Sequence, residues 1–256
     1  MESYSIGKER RISRIFNQDS QKTIVAALDH GVTLGPVQGI ENVGDFLSKV
    51  NLNKLNAILA HRGILLRNSK SLENVPYILH LSAGTTLNPS QGHKILACSL
   101  EQAVFLGCEA VSFHLNLGYS NESQTLKDLA KTSQRCESYG LPLLVMTYTS
   151  AKPDENSKFH AEIKHAARVA YELGADIIKV PFTGSSEKFR EIVEGVQVPV
   201  IVAGGSKISE KESLRHISEA INAGARGVCI GRNFFQSERP IGYLESLYEI
   251  VHRSKK

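Results

Sequence analysis

A lysine lies within an otherwise apolar, β-branched segment, Ile177-Ile178-Lys179-Val180. Lysine is seldom buried, because removing its ammonium group from water is costly. Desolvation favours the neutral amine by lowering the pKa, and that amine can attack a ketone or aldehyde to form an iminium. The segment therefore predicts a Schiff-base nucleophile at Lys179. The structural alternative is a lysine that forms an ion pair with Asp29 or Asp176.

Two other side chains could move the protons that imine formation and carbon–carbon bond cleavage require. Asp29 directly follows the apolar segment 23–28, and Tyr148 closely follows the apolar segment 143–146. A carboxylate can accept a proton and a phenol can donate one. We predict these two roles for Asp29 and Tyr148. The structural alternatives are an aspartate that forms a turn and a tyrosine that merely lines the protein interior.

Two glycine-containing segments have the composition of a phosphate site. Ala203-Gly204-Gly205-Ser206 and Gly231-Arg232-Asn233 each follow a short apolar segment late in the chain. Glycine allows backbone N–H groups to approach phosphate oxygens, and arginine adds a charge-assisted hydrogen bond. We predict that Gly204, Gly205, Gly231 and Arg232 bind a phosphoryl group of the substrate.

The elements that must position these residues recur regularly along the chain. Eight short apolar segments have the pattern of buried strands: residues 23–28, 57–60, 77–81, 110–114, 143–146, 176–180, 199–203 and 227–230. Helical patterns occupy several of the later connections: residues 122–139, 158–173, 186–194, 210–223 and 241–252. Four glycines follow these patterns where a left-handed helix cap is expected: Gly140, Gly174, Gly195 and Gly224.

Alternating strands and helices call for a parallel sheet, and eight units can close it into a barrel. We predict an α/β fold, a single (β/α)₈ TIM barrel formed by one domain over residues 1–256, with residues 1–20 as an extension before the first strand. A doubly wound open sheet is the alternative, but no GxGxxG motif follows the first strand. In such a barrel the strand ends named above would form the active site.

The composition narrows the possible partners. The net charge of +4 is not concentrated in a basic block, which argues against nucleic acid and suits a small anionic substrate. The four cysteines form no CxxC pair, and the sequence contains no signal-peptide pattern or apolar run of membrane-spanning length. We expect a cytoplasmic protein that uses no metal or other cofactor. We also expect that it does not bind a membrane.

Read together, these segments resemble the class I aldolase superfamily that includes archaeal-type fructose-bisphosphate aldolase and deoxyribose-phosphate aldolase. The resemblance covers nearly the whole chain and includes Leu28-Asp29-His30-Gly31-Val32 and Gly231-Arg232-Asn233-Phe234. It implies a phosphorylated sugar substrate, with the imine on Lys179, Tyr148 as proton donor and Asp29 as proton acceptor. We also place His30 and Thr33 at the substrate site and expect a homo-oligomer.

Within that superfamily the chain looks closest to the 2-amino-3,7-dideoxy-D-threo-hept-6-ulosonate synthases, which implies an aldehyde acceptor such as aspartate semialdehyde. The archaeal fructose-bisphosphate aldolases usually carry a second histidine in this segment, whereas this chain has Thr33 and Leu34 after Val32. Because of this departure, fructose-bisphosphate cleavage is an alternative and not the main prediction. Condensation of dihydroxyacetone phosphate with aspartate semialdehyde is another, as is a phosphate-binding barrel without catalysis. A metal-dependent aldolase would instead hold zinc through strand-end histidines: His30, His61, His80 and His114.

Overall fold

The computed structural model describes residues 6–88 and 92–253, and its central feature is a closed barrel of eight parallel strands. The barrel strands are β1 (Thr23–Ala27), β2 (Ala57–Ala60), β3 (Tyr77–His80), β6 (Ala110–Leu117), β7 (Leu143–Thr149), β8 (Ile177–Pro181), β9 (Val200–Ala203) and β10 (Gly227–Ile230). Between β3 and β6, a small antiparallel hairpin comprises β4 (Ser82–Ala83) and β5 (Ile95–Leu96). The predicted barrel is confirmed, and each predicted strand is present with ends shifted by at most three residues.

Helices surround the barrel: α1 (Ile6–Ile15), α2 (His30–Leu34), α3 (Val43–Lys49), α4 (Arg62–Arg67), α5 (Leu100–Phe105), α6 (Glu122–Tyr139), α7 (Asn156–Glu172), α8 (Ser186–Glu194), α9 (Glu210–Asn222), α10 (Arg232–Phe235) and α11 (Pro240–Tyr248). Short 3₁₀ segments cover Leu52–Lys54, Ser69–Leu72 and Pro153–Glu155, and a π-helical turn, Glu249–Arg253, extends α11. The five predicted helices are present. Within the described part of the chain, no helix combines the length and apolarity needed to cross a membrane.

Glycine caps end most of the predicted helices. Gly140, Gly174 and Gly224 have φ values of 60°, 89° and 106°, which place them in the region that favours glycine. The prediction for Gly195 is wrong, because its φ of −76° is right-handed. That residue closes α8 with ordinary helical geometry, so its position after a helix did not require a left-handed cap.

The barrel interior is filled by alternate residues of the strands, among them Val25, Leu59, Ile78, Leu144, Ile177 and Ile201. Ile15 and Phe16, at the end of α1, pack against the same cluster and close the barrel beneath it. A buried ion pair joins α1 to the start of β8, with 2.9 Å between Lys8 Nζ and Asp176 Oδ2. The amino-terminal end of the barrel is thus occupied by packing, which leaves the carboxyl ends of the strands for a site.

Candidate active site

Lys179 lies in β8 and is only 7% exposed. It follows Ile177 by two residues, so its side chain shares the inward face of the strand. Its Nζ lies 3.8 Å from Met146 Sδ of the neighbouring strand, and Cys229 lines the same cavity as Lys179. Asp176 is paired with Lys8 instead, so the alternative in which Asp176 neutralises Lys179 is wrong.

The protonation state of Lys179 differs from the sequence-based expectation. Burial lowers the pKa of its ammonium, but interactions with Cys229, Tyr148 and Asp29 outweigh burial and raise the pKa above its usual value. This direction indicates an ammonium in the substrate-free site at neutral pH, whereas burial alone led to the expectation of a neutral amine. Lys179 must lose a proton before its nitrogen can attack a carbonyl carbon.

Asp29 provides an ionised carboxylate at the end of β1. Burial raises the pKa of this carboxyl, but His80, His30 and Lys179 oppose burial and bring the pKa below its usual value. Oδ1 is buried and has no hydrogen-bond partner, although it lies 3.5 Å from His30 Nδ1. Oδ2 lies 3.8 Å from His80 Nε2. A buried carboxylate with an unpartnered oxygen is suited to accept a proton.

Three imidazoles, here called the imidazole row, cross the barrel mouth from β2 to β6: His61, His80 and His114. Successive ring centroids are 5.0 and 4.8 Å apart, and the Tyr148 ring continues the row at 4.9 Å from His114. Burial lowers the pKa of all three histidines, that of His80 to about 3. Because the imidazoles are neutral at pH 7, they provide polar contacts without repelling another cation.

Three donor groups at this mouth could hold a metal ion, since atoms of Asp29, His80 and His114 lie within 4.8 Å of one another. Carboxylate and imidazole are suitable zinc ligands. However, the ammonium groups of Lys94 and Lys179 act electrostatically on all three residues and would repel a cation. Local charge therefore disfavours the metal-dependent alternative.

Exhaustive chelation is accordingly expected to leave turnover unchanged, because class I chemistry proceeds through an amine rather than a metal. The measurement is the rate before and after dialysis against a strong chelator, with bound metal quantified in both samples. A loss of activity that stoichiometric Zn²⁺ restores would contradict the prediction and assign Asp29, His80 and His114 to a metal centre.

The two glycine-containing loops meet beside Lys179. A cavity of about 270 Å³ is lined by Lys179, Tyr148, His30 and both loops, including Gly204, Gly205, Gly231 and Arg232. Arg232 donates through Nη2 to the Gly205 carbonyl at 3.3 Å, whereas its buried Nε has no partner. A buried guanidinium N–H without an acceptor suits a phosphate oxygen.

The glycines contribute in different ways. The N–H of Gly204 donates to the Cys229 carbonyl at 3.2 Å, so that N–H is already used in the substrate-free protein. A Cβ at residue 231 would lie 2.2 Å from His30 Cε1, so only glycine leaves room for that imidazole. Gly205 has a φ of 71° and open space around it. Of the three, Gly205 best fits the predicted close approach to a ligand.

Asn233 ends the segment Gly231-Arg232-Asn233, but the sequence did not predict a role for its side chain. Its amide Nδ2 donates to the carbonyl oxygens of Gly204 at 2.7 Å and Ser206 at 2.8 Å, and its Oδ1 accepts from the Ile208 N–H at 2.9 Å. This side chain therefore fixes the loop after β9 against the loop after β10. Its only sequence signal was a polar residue immediately beyond a strand end.

Lys94 is a residue that sequence reasoning missed. It precedes β5 of the hairpin, and its Nζ donates to Thr33 Oγ1 at 3.2 Å and to the Gly84 carbonyl at 3.3 Å. Thr33, predicted to bind substrate, thus contacts Lys94, whereas His30 lines the cavity with the glycine loops. Two-residue strands have no recognisable periodicity, so the hairpin could not be predicted from pattern.

Replacing Arg232 with alanine is expected to raise the Michaelis constant for phosphorylated substrate by roughly 10- to 100-fold, because one charge-assisted hydrogen-bond donor is lost. Turnover should fall less, since the guanidinium binds a group remote from the reacting bond. Steady-state kinetics with the phosphorylated substrate and its dephosphorylated counterpart would test this. Equal use of the two compounds by the unmodified protein would contradict a phosphate site here.

Comparison with known proteins adds independent findings. The family profile described as "DeoC/LacD family aldolase" matches residues 23–237. The chain is 40% identical over 250 residues to 2-amino-3,7-dideoxy-D-threo-hept-6-ulosonate synthase 1 of Archaeoglobus fulgidus, covering 97% of this chain and 92% of the relative. It is 32% identical over 246 residues to 2-amino-4,5-dihydroxy-6-oxo-7-(phosphonooxy)heptanoate synthase of Streptomyces griseus, covering 95% and 90%.

A solved structure is also similar: an archaeal fructose-1,6-bisphosphate aldolase with its catalytic lysine covalently bound to the carbinolamine intermediate of the substrate. The TM-score is 0.86 and the sequence identity 29%, with 96% of this chain and 99% of that chain covered. The similarity extends over nearly the whole of both chains, and the catalytic lysine of that protein forms a covalent intermediate with its substrate.

Proposed function

Because the chain belongs to the DeoC/LacD family of aldolases, and is a class I aldolase, we propose that it acts as a 2-amino-3,7-dideoxy-D-threo-hept-6-ulosonate synthase. In this reaction a phosphorylated ketose donates a fragment to an aldehyde acceptor such as aspartate semialdehyde. The observation that carries the proposal is a buried lysine beside an ionised aspartate and a tyrosine, next to two loops with an unpartnered arginine donor.

Catalysis begins with the loss of a proton from the Lys179 ammonium. We assign the acceptor role to Asp29, whose carboxylate is ionised and whose Oδ1 has no partner, although the raised pKa of Lys179 and the lowered pKa of Asp29 make this transfer unfavourable in the substrate-free site. The neutral amine attacks the ketone carbon of the donor to give a carbinolamine. Tyr148 donates a proton to the departing hydroxyl, so water leaves and the iminium forms.

The iminium then acts as an electron sink. A base removes the proton from a substrate hydroxyl, and the carbon that bears this oxygen becomes a carbonyl as the carbon–carbon bond breaks. That half of the donor leaves as an aldehyde, and the electron pair of the broken bond passes into an enamine attached to Lys179. The enamine carbon attacks the acceptor aldehyde, whose oxygen takes a proton as an alcohol. Hydrolysis of the new iminium releases the product and restores the amine. Asp29 and Tyr148 exchange protons at these steps.

Phosphate binding holds the donor in place during this sequence. Arg232 Nε and the open backbone around Gly205 supply donors to the phosphoryl oxygens. Asn233 fixes the loop after β9 to the loop after β10 through its hydrogen bonds to the Gly204 and Ser206 carbonyls. A phosphate fixed here orients the substrate beside Lys179, which lines the same cavity.

Borohydride trapping over a matrix of donors and acceptors tests the proposal. Each phosphorylated ketose is incubated with the protein and reduced, and intact mass identifies the donor that forms an adduct. The donor identified in this way is then incubated, without borohydride, with fresh protein and aspartate semialdehyde or glyceraldehyde 3-phosphate, and the products are identified by mass. We expect transfer to the semialdehyde.

Two results would assign a different member of the family. Efficient reversible cleavage of fructose 1,6-bisphosphate would make the chain a fructose-bisphosphate aldolase. Condensation of dihydroxyacetone phosphate with aspartate semialdehyde would place it with the Streptomyces griseus relative's activity. The absence of an adduct with every phosphorylated ketose would favour the non-catalytic phosphate-binding barrel.

A further inference from the structure

A further cationic group, Lys94, lies at the barrel mouth in addition to Lys179 and Arg232. We propose that Lys94, with the Thr33 hydroxyl, binds the carboxylate of the acceptor aldehyde. The mouth then has two anion sites of different chemistry, a phosphate site at Arg232 and a carboxylate site at Lys94. This inference extends the proposed function, because it identifies how that reaction would select its acceptor.

The position of Lys94 is set by packing against the hairpin. A Cβ at residue 84 would lie 2.9 Å from Lys94 Cδ and 2.5 Å from the His93 carbonyl oxygen, so glycine at this position makes room for the lysine chain. The hairpin is also fixed to α2, because the Thr86 N–H and hydroxyl both donate to the Thr33 carbonyl, at 3.0 and 3.1 Å. Lys94 and Thr33 are therefore held together.

Among the described residues, none provides a close counterion for the charge of Lys94. Both hydrogen-bond acceptors of its Nζ are neutral oxygens, and an ammonium has three N–H groups. Within residues 6–88 and 92–253, it makes no ion pair with a carboxylate at 4.0 Å or less. The segment Pro89-Ser90-Gln91 contains no acidic residue. A half-buried ammonium in this condition is suited to an anionic ligand.

Lys94 also lies near the reacting groups, because its partner Thr33 is in α2, the helix that begins directly after Asp29. Asp29, His80 and His114 each interact electrostatically with both Lys94 and Lys179. A ligand held by its carboxylate at Lys94 would therefore extend over Asp29 and the imidazole row toward the nucleophile. The neutral imidazoles can contact its polar chain without competing for the carboxylate.

The single charge of Lys94 favours a carboxylate over a second phosphate. One ammonium and one hydroxyl suit a single carboxylate group, whereas the phosphate site combines a guanidinium with two glycine-containing loops. Arginine offers paired donors that suit phosphate geometry, while lysine acts as a point charge. Aspartate semialdehyde has both required ends, a carboxylate and an aldehyde.

The test compares aspartate semialdehyde with its methyl ester, which lacks the carboxylate charge, in the unmodified protein and in Lys94→Met. We expect the variant to raise the KM for the acid by roughly 10- to 100-fold, the size of one charge-assisted hydrogen bond, with little change for the ester. Lys94→Arg should retain most of the preference for the acid. Lys127→Met, on the exposed face of α6, is the matched control and should behave as the unmodified protein.

Two further measurements separate this inference from the proposed function. Borohydride trapping of the donor on Lys179 reports the first half-reaction, whereas calorimetry of the semialdehyde with Lys179→Ala, with and without Lys94→Met, reports acceptor binding without turnover. Lys94-dependent binding supports the carboxylate site even if no donor is trapped, in which case only the proposed function fails. Equal changes in KM for the acid and the ester in Lys94→Met would overturn the carboxylate site. An effect of Lys94→Met confined to glyceraldehyde 3-phosphate would also overturn it.

Discussion

Lys179→Ala is expected to abolish both the covalent adduct and turnover, the largest effect of any single change. The side chain is 7% exposed, lies in an apolar strand and lines the same cavity as the arginine loop. Among the described residues that line this cavity, no other side chain carries an amine. Peptide mapping after borohydride reduction should find one adduct on Lys179 in the unmodified protein and none in the variant.

Lys152 and Lys207 are the rival nucleophiles, since each follows a barrel strand that leads to the site. Both side chains are exposed to solvent, so neither is desolvated as a Schiff-base amine is expected to be. Lys207→Ala is thus the matched control and should keep the adduct on Lys179. An adduct on Lys207, or normal activity in Lys179→Ala, would show that the nucleophile has been wrongly assigned.

Truncation of a buried side chain also creates a cavity, so the effect of Lys179→Ala on stability must be separated from its effect on chemistry. Lys179→Met keeps the length of the chain, cannot form an imine, and places an apolar group beside Met146 and Cys229. We expect this variant to unfold at a temperature close to that of the unmodified protein while forming no adduct. Loss of chemistry without loss of the fold would assign the defect to the amine.

The sequence was sufficient to predict the barrel because its strands are continuous apolar segments. Such segments can be recognised in the sequence without knowledge of tertiary contacts. β10 and α8 are observed with the same ends that the pattern predicted. The short helices α2 and α10 and the hairpin were not predicted. Their four- or five-residue helices and two-residue strands are too short to show a period, and they depend on packing at the barrel mouth.

The site could be predicted in part for a related reason. A parallel barrel brings all carboxyl strand ends to one face, so residues distant in sequence, such as Asp29, Tyr148 and Lys179, could be grouped from topology alone. Lys94 could not be grouped with them in this way, because it lies on the hairpin and not at the end of a barrel strand. The expected charge state of Lys179 rested on burial alone, which could be inferred from the strand, whereas the opposing charge of Asp29 comes from another strand end and depends on the tertiary structure.

Tyr148→Phe is expected to lower turnover by roughly 10²- to 10⁴-fold, the usual contribution of a general acid. Burial raises the pKa of the Tyr148 hydroxyl, so the phenol remains protonated at neutral pH and has a proton to give. Phenylalanine preserves the ring and its packing 4.9 Å from His114. The variant therefore removes the proton donor with little disturbance of the imidazole row.

The rates of the separate steps show where that proton is used. If Tyr148 protonates the departing hydroxyl of the carbinolamine, borohydride trapping of the iminium should slow in Tyr148→Phe while donor binding is retained. Tyr171→Phe removes a hydroxyl that is bonded to Gln197 on the outer surface, and it should trap donor at the normal rate. Normal turnover in Tyr148→Phe would reduce Tyr148 to a packing residue and leave Asp29, or water, to supply the proton.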